Sequence, residues 1–271
     1  LVIVPSEHTR QTIVNSGTVE TPIVVVPEAY FDELKDSNIK PIELDVDTDF
    51  NFLMVGTLTG NNPWNDRKNT YNTIKWFCDE FTNDENVGLV IKASSGRGTT
   101  IDRQLTKNTL NALLNEIRPG KFPRVHLLHG LMSHKEMAGL YKNKTIKAYM
   151  SITRGEGFGL PILEASVAGI PVITTRWSGH LDFMRKGKYL DVGYKLQEIH
   201  ESRVDDNIFI KGSRWAEPDE KDARRTMRKF YQKSAVPTQW AAELSKKLSV
   251  DNSLETIFSL YDSVYSEHIT K

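Results

Sequence analysis

Only one cysteine, Cys78, occurs in the 271 residues, which excludes an internal disulfide framework and any multi-cysteine metal site and fits a reducing compartment. No sign of charge dominates either. Lysine plus arginine and aspartate plus glutamate both total 35, so no global basic field exists to hold nucleic acid or an acidic membrane surface, although local patches are allowed. Charged residues interrupt every apolar stretch before it could cross a bilayer, and the opening LVIVPSEHTR lacks both a basic lead and a long apolar segment. Neither a membrane span nor a signal peptide is read; the cytoplasm is the expected location, with a peripheral membrane position left open. Repeats and low-complexity tracts are absent. No His-x-x-x-His pair sits on an expected helix, so His126, His129, His134 and His180 are not read as a metal centre. What remains, 39% hydrophobic and 26% charged, is ordinary for one large globular domain or two small ones.

The residues alternate between strand and helix signals. LVIVP reads as a short strand, and Ser6 caps a helix over EHTRQTIVNS that stops at Gly17. IVVVPEA, from Ile23, is a second strand, and the acidic run from Asp32 to Asp49 reads as a surface connection. Then follow strand FNFLMVGTL, helix NTYNTIKWFCDEF, strand VGLVIKAS, helix TIDRQLTKNTLNALLNEI and strand RVHLLHGL. SHKEMAGLYKN carries Ser133 and Glu136 at capping-box spacing, and IKAYMSIT, LPILEASVAG and IPVITT complete the series. Such alternation predicts an α/β, Rossmann-like parallel sheet with helices on both faces, its ligands beyond the carboxyl ends of the strands. The tail offers a strand-like NIFIKG and two last helices. In WAEPDEKD, Pro218 is expected in the first turn of a helix, with acids at 217, 219, 220 and 222 suiting its positive end.

RGEGFGLPILEASVAGIPVITTRWSGHLDF poses the functional question. Glu156 follows a strand, Gly157 and Gly159 permit a tight turn, and Leu160 and Pro161 open a helix whose free N–H groups make an anion site. Glu164 lies one turn inside that helix, where a carboxylate can accept hydrogen bonds from a diol. The implied ligand is a diphosphate at the turn with a sugar on each side. The bland reading is a strand-to-helix turn with two solvated glutamates.

The stretch from Glu156 through SGHLDF resembles the donor-binding signature of retaining GT-B glycosyltransferases, particularly family 4, in which two glutamates separated by seven residues flank a nucleotide-sugar. PSEHTRQTIVNSG with IVVVP looks like the close of that family's N-terminal domain, and FLMVGTL with DRKNTYNTIKWF looks like the start of its C-terminal domain. The resemblance implies that Glu156 is catalytic and holds the transferred sugar, that Gly157, Phe158, Gly159 and Leu160 present backbone to sugar and diphosphate, and that Glu164 holds the ribose. It puts Lys68 on the phosphates; Arg67 fits a solvated face as well as the site. Gly56 and Thr57 are expected beside the donor, though the family often has arginine where Thr57 stands, so Lys92 is an alternative source of charge. Gly130 and Leu131 are expected at a uracil or guanine base, Arg154 either at the donor or on the surface, and His180 in a structural role. No cofactor and no metal are expected, since no Asp-x-Asp pair lies near the turn.

The resemblance also divides the chain: 1–45 as the end of an acceptor domain and linker, 46–250 as the nucleotide-sugar-binding domain, and 251–271 as a C-terminal helix for packing on an N-terminal domain, missing here or supplied by a partner chain. The expected function is retaining transfer from a UDP- or GDP-sugar to a glycan or other acceptor. A non-catalytic nucleotide-sugar-binding module, half of a split enzyme, and a GT-B epimerase are the alternatives.

Overall fold

A computed structural model of the chain describes residues 1–58 and 62–269. Positions 59–61, inside the expected domain 46–250, and 270–271, at the end of segment 251–271, lie outside the described residues.

Six parallel strands form the central sheet: β3 (Phe50–Gly56), β4 (Val87–Ala93), β5 (Arg124–His129), β6 (Ile146–Ser151), β7 (Val172–Thr175) and β8 (Leu190–Val192), in the order β5-β4-β3-β6-β7-β8. Every residue of β4 is buried, as a strand covered on both faces requires. One face packs α2 (Thr70–Glu80), α3 (Thr100–Ile117) and α7 (Glu220–Gln232) around Phe52, Phe77 and Phe230. The other packs α4 (His134–Tyr141), α5 (Leu160–Val167), the short α6 (Leu181–Met184) and α8 (Ala235–Asp251) around Leu53, Leu163 and Leu244. The strand order reverses between β3 and β6, so the loops after these two strands diverge to opposite faces and leave a crevice between them.

Local chemistry sets the helix starts. The capping boxes Thr99–Asp102 and Ser133–Glu136 form at α3 and α4. At α2 the N-cap Asn69 is left-handed and makes no side-chain cap; the carboxylate of Asp66 takes the Thr70 and Tyr71 N–H groups instead. This device fixes the turn that carries Arg67 and Lys68.

Three regions differ from the sequence reading. The acidic run, expected as a surface connection, is also anchored to the domain: Leu34 is buried, as is Tyr30 just before the run, the Ile42 N–H bonds Gly139 O at 3.1 Å, and Lys35 Nζ reaches Val167 O at 2.9 Å. Residues 30–42 thus strap α4 and α5, on the near side of the expected 45/46 boundary. NIFIKG forms no strand, because the Asp205 carboxylate collects the N–H groups of Asn207, Ile208 and Phe209 into a turn. The tail strands are β9 (Tyr194–Glu198) and β10 (Arg214–Pro218), an antiparallel pair. Pro218 therefore ends a strand, and Asp219 caps α7 by accepting the Asp222 N–H at 2.8 Å.

At the N-terminus β1 (Val2–Val4) pairs in parallel with β2 (Ile23–Val25), and α1 (Glu7–Ser16) starts on a Ser6 cap. The last helix, α9 (Leu254–His268), packs Ile257 and Val264 on Val26 with Ile3 and Val24 alongside, so the two ends of the chain share a small core.

Candidate functional site

The crevice at the strand reversal brings two distant segments together. The loop after β6 delivers Glu156, 8% exposed, and the turn before α2 delivers Lys68 and Arg67. Lys68 Nζ stands 2.6 Å from Glu156 Oε1, and Arg67 Nη1 stands 3.2 Å from Oε2 and also donates to Gly155 O. Burial pushes the Glu156 carboxyl upward, yet Lys68 and then Arg67 hold it below its ordinary value. Glu156 is ionised, and the trio carries one net positive charge. Both cations keep over a third of their side chains in solvent, 35% and 38%, so an anionic ligand can reach them.

SGHLDF supports this loop from beneath. Ser178, at φ 88°, accepts the Glu156 N–H on its hydroxyl at 2.8 Å, and the Gly179 N–H donates to Glu156 O at 3.0 Å. Burial pushes the His180 imidazole down to about 4, so it is neutral; its Nε2 lies 2.8 Å from Thr175 O, which assigns the proton to that nitrogen. Nδ1 lies 3.4 Å from the Ser178 hydroxyl. His180 thus lies buried behind the loop. From the other side Ser6 and Thr9, at the start of α1, donate hydroxyls to Gly157 O at 2.5 and 3.2 Å.

Gly159 is the N-cap of α5 at φ 97°, a conformation that disfavours a side chain, whereas a Cβ at Gly157 would meet Thr9 Oγ1 at 3.8 Å, an ordinary contact. Leu160 is exposed and Phe158 is buried against Phe183. One turn into α5, Glu164 accepts the Tyr141 hydroxyl at 3.0 Å, and burial pushes its carboxyl up to about 7. Glu164 and Leu160 line a cleft of about 550 Å³, whose far wall is the strap. There Phe31 stacks on the His134 ring, centroids 4.5 Å apart. Sequence reading missed Phe31 as a site residue, since it lies in no periodic element.

The remaining expected residues spread along the same rim. Gly56 ends β3 and Thr57 is exposed beyond it. Gly130, at φ 128°, and the exposed Leu131 follow β5, two strand positions away. Lys92 is buried and donates to Gly130 O at 2.8 Å, which shapes that loop. Arg154 is a correction on both counts: it neither lies on the surface nor extends an open guanidinium into the crevice. It is 1% exposed, and its donors go to Glu217, Pro63 and Asp66. Among the described residues no group of three or more His, Cys, Asp or Glu side chains is placed to hold a metal ion, and no helix is long and apolar enough to cross a membrane.

Residues 113–230 match the family model described as Glycosyl transferases group 1. No curated protein matches the chain in sequence. Among solved structures, the chain is similar to sucrose-phosphate synthase from Thermosynechococcus elongatus, with 17% identity, a TM-score of 0.66, and coverage of 98% of this chain and 57% of that one. It is similar to HepE of Anabaena, solved with UDP and glucose, at 15% identity and a TM-score of 0.70 over 98% and 63% of the two chains. The pneumococcal O-GlcNAc transferase GtfA, solved with UDP and GlcNAc, aligns at 15% identity and a TM-score of 0.60, over 98% and 44%. These likenesses establish the Rossmann-like fold found in GT-B glycosyltransferases. The chain spans less than two thirds of the length of each of these structures.

Proposed function

We propose that this chain is the donor-binding part of a retaining glycosyltransferase of family 4, holding a nucleoside-diphosphate sugar for transfer to an acceptor. The observation that carries the reading is the pairing of Glu156 with Lys68 and Arg67 at the start of α5, with Glu164 in a cleft one turn further on. A diphosphate seated at that helix start would draw the two cations from Glu156, freeing its carboxylate to accept sugar hydroxyls. As the glycosidic bond breaks, the leaving nucleoside diphosphate gains negative charge, and fixed cations stabilise it there. Glu164 and the Phe31–His134 wall suit a ribose and base. The matched glycosyltransferase segment and the UDP complexes of two similar structures support the same reading. The proposed acceptor is a glycan or another group, and the cytoplasm is the proposed location.

Titration of UDP, GDP and their sugars by calorimetry tests this directly, and absence of binding by all of them would sink the reading. Glu156→Ala is expected to weaken an intact sugar donor by about 1.5–3 kcal/mol, the range for a hydrogen bond involving a charged group. The same variant should bind free UDP as well as the native chain or better, because the competitor for Lys68 and Arg67 is gone. Equal losses for both ligands would refute the division of roles. Donor affinity is further expected to be unchanged within twofold by a chelator, since two side-chain cations and a helix N-terminus meet the phosphates. A large loss in chelator, restored by magnesium or manganese, would overturn that.

A further inference from the structure

Arg154 is among the largest fully buried side chains, and one residue joins three segments. Its Nε and Nη2 fork the Glu217 carboxylate at 2.7 and 2.9 Å, and its guanidinium lies over the Trp215 ring with Cζ 4.9 Å from the centroid. Both partners come from β10. Nη1 turns the other way and donates to the carbonyls of Pro63 and Asp66, the latter at 2.9 Å. The Arg154 backbone repeats the pattern, with its N–H on Arg67 O at 2.9 Å and its carbonyl taking the Ala216 N–H at 3.1 Å. Thr153 Oγ1 on Arg67 O and Asn69 Nδ2 on Ile152 O fasten the same turn further, at 3.3 and 3.0 Å.

We propose that Arg154 is a positioning residue, locked by Trp215 and Glu217, that sets the turn bearing Arg67 and Lys68 at its working distance from Glu156. The proposal rests on the donor reading above. Glu156 stands two residues beyond Arg154, whereas Lys68 is 88 residues from Glu156 in sequence, so their separation depends on what bridges the two loops. Five N–H groups in a rigid fork can satisfy a carboxylate and two carbonyls together; a lysine ammonium has three donors and no plane to lie on Trp215. WAEP thereby gains a role: Trp215 and Glu217 act on the cations through Arg154 without touching a ligand.

The test is a double-mutant cycle read by calorimetry with UDP or GDP, whichever the native chain binds. Arg154→Lys is expected to weaken binding at least tenfold in the native background. In a chain carrying both Arg67→Ala and Lys68→Ala, the same change should cost less than twofold, because no cations are left to position. Melting temperatures report the structural effect separately and should fall alike in both backgrounds. If Arg154→Lys does not fold, Glu217→Gln enters the same cycle, with at least a threefold loss expected in the native background and none in the other. Equal fold-losses in both backgrounds, or unchanged affinity in folded variants, would overturn the proposal. Failure of the native chain to bind either nucleotide would remove the donor reading and the proposal with it.

Discussion

Gly179→Ala is expected to destabilise the chain by about 3 kcal/mol, at the upper end of the overpacking range, and to lower its melting temperature by roughly 6–12 °C. A Cβ at this position would sit 2.0 Å from Gly157 O and 2.6 Å from its carbonyl carbon, with Ser6 Oγ at 2.7 Å. Two of those atoms are backbone, so no rotamer change relieves the clash. Relief requires the loop to move away from Gly179, which also breaks the bond between the Gly179 N–H and Glu156 O. The damage should therefore reach ligand binding: Glu156 and the start of α5 shift together, and nucleotide affinity should fall by tenfold or more. Gly155→Ala is the control, in the same loop but with nothing within 4 Å of its Cβ position and no left-handed φ. It should stay within about 0.5 kcal/mol of the native chain. Thermal melts of the two variants side by side check this; similar melting temperatures would mean that the close approach of residues 157 and 179 is unimportant.

Gly179 illustrates what a sequence shows of such a site. The glutamate spacing, the glycine turn and the alternation of strand with helix are local patterns, and each appears in the structure where periodicity put it. The strand reversal that makes the crevice is not local, yet it follows once the sheet is assembled. Other features depend on side chains far apart in the chain. The pairing of Arg154 with Glu217 spans 63 residues, and nothing in RGEGFG or WAEP alone tells that one will bury the other. Pro218 shows the same limit: an acidic run after a proline reads as a helix start, but Ala216 and Pro218 are held in β10 by pairing with β9. The strap from Tyr30 to Ile42 has no helical or strand period, its anchors being scattered contacts such as Lys35 Nζ on Val167 O and Lys142 Nζ on Asp36 O, so Leu34 and Lys35 could not be told from solvated neighbours. Phe31, as a wall of the cleft, was hidden for that reason.

Glu164 provides the last expected result: a Glu164→Gln variant should become more stable than the native chain as pH rises, by on the order of 2 kcal/mol between pH 5 and pH 8. Its folded carboxyl titrates near 7 against an ordinary 4.5, with burial as the cause and the Tyr141 hydroxyl opposing it. A carboxyl raised in the folded state binds its proton more tightly there than in the unfolded chain. Below pH 4.5 both states are protonated and no penalty exists. From 4.5 upward the unfolded chain releases its proton first, so native stability declines until the folded group also ionises near 7. Above that the full penalty is present. Glutamine has no charge to bury and can still accept the Tyr141 hydroxyl, so it escapes the decline. A diol ligand reverses the advantage, since it donates to the ionised carboxylate: native affinity for nucleotide should climb through pH 6–8 relative to the variant, reaching about 1–3 kcal/mol in favour of the native chain. Denaturant melts and calorimetry on both proteins at pH 5 and 8 measure the two effects independently, and other titrating groups cancel in the difference. Parallel stability curves would mean that Glu164 ionises normally; equal pH slopes in binding would remove it from the ligand.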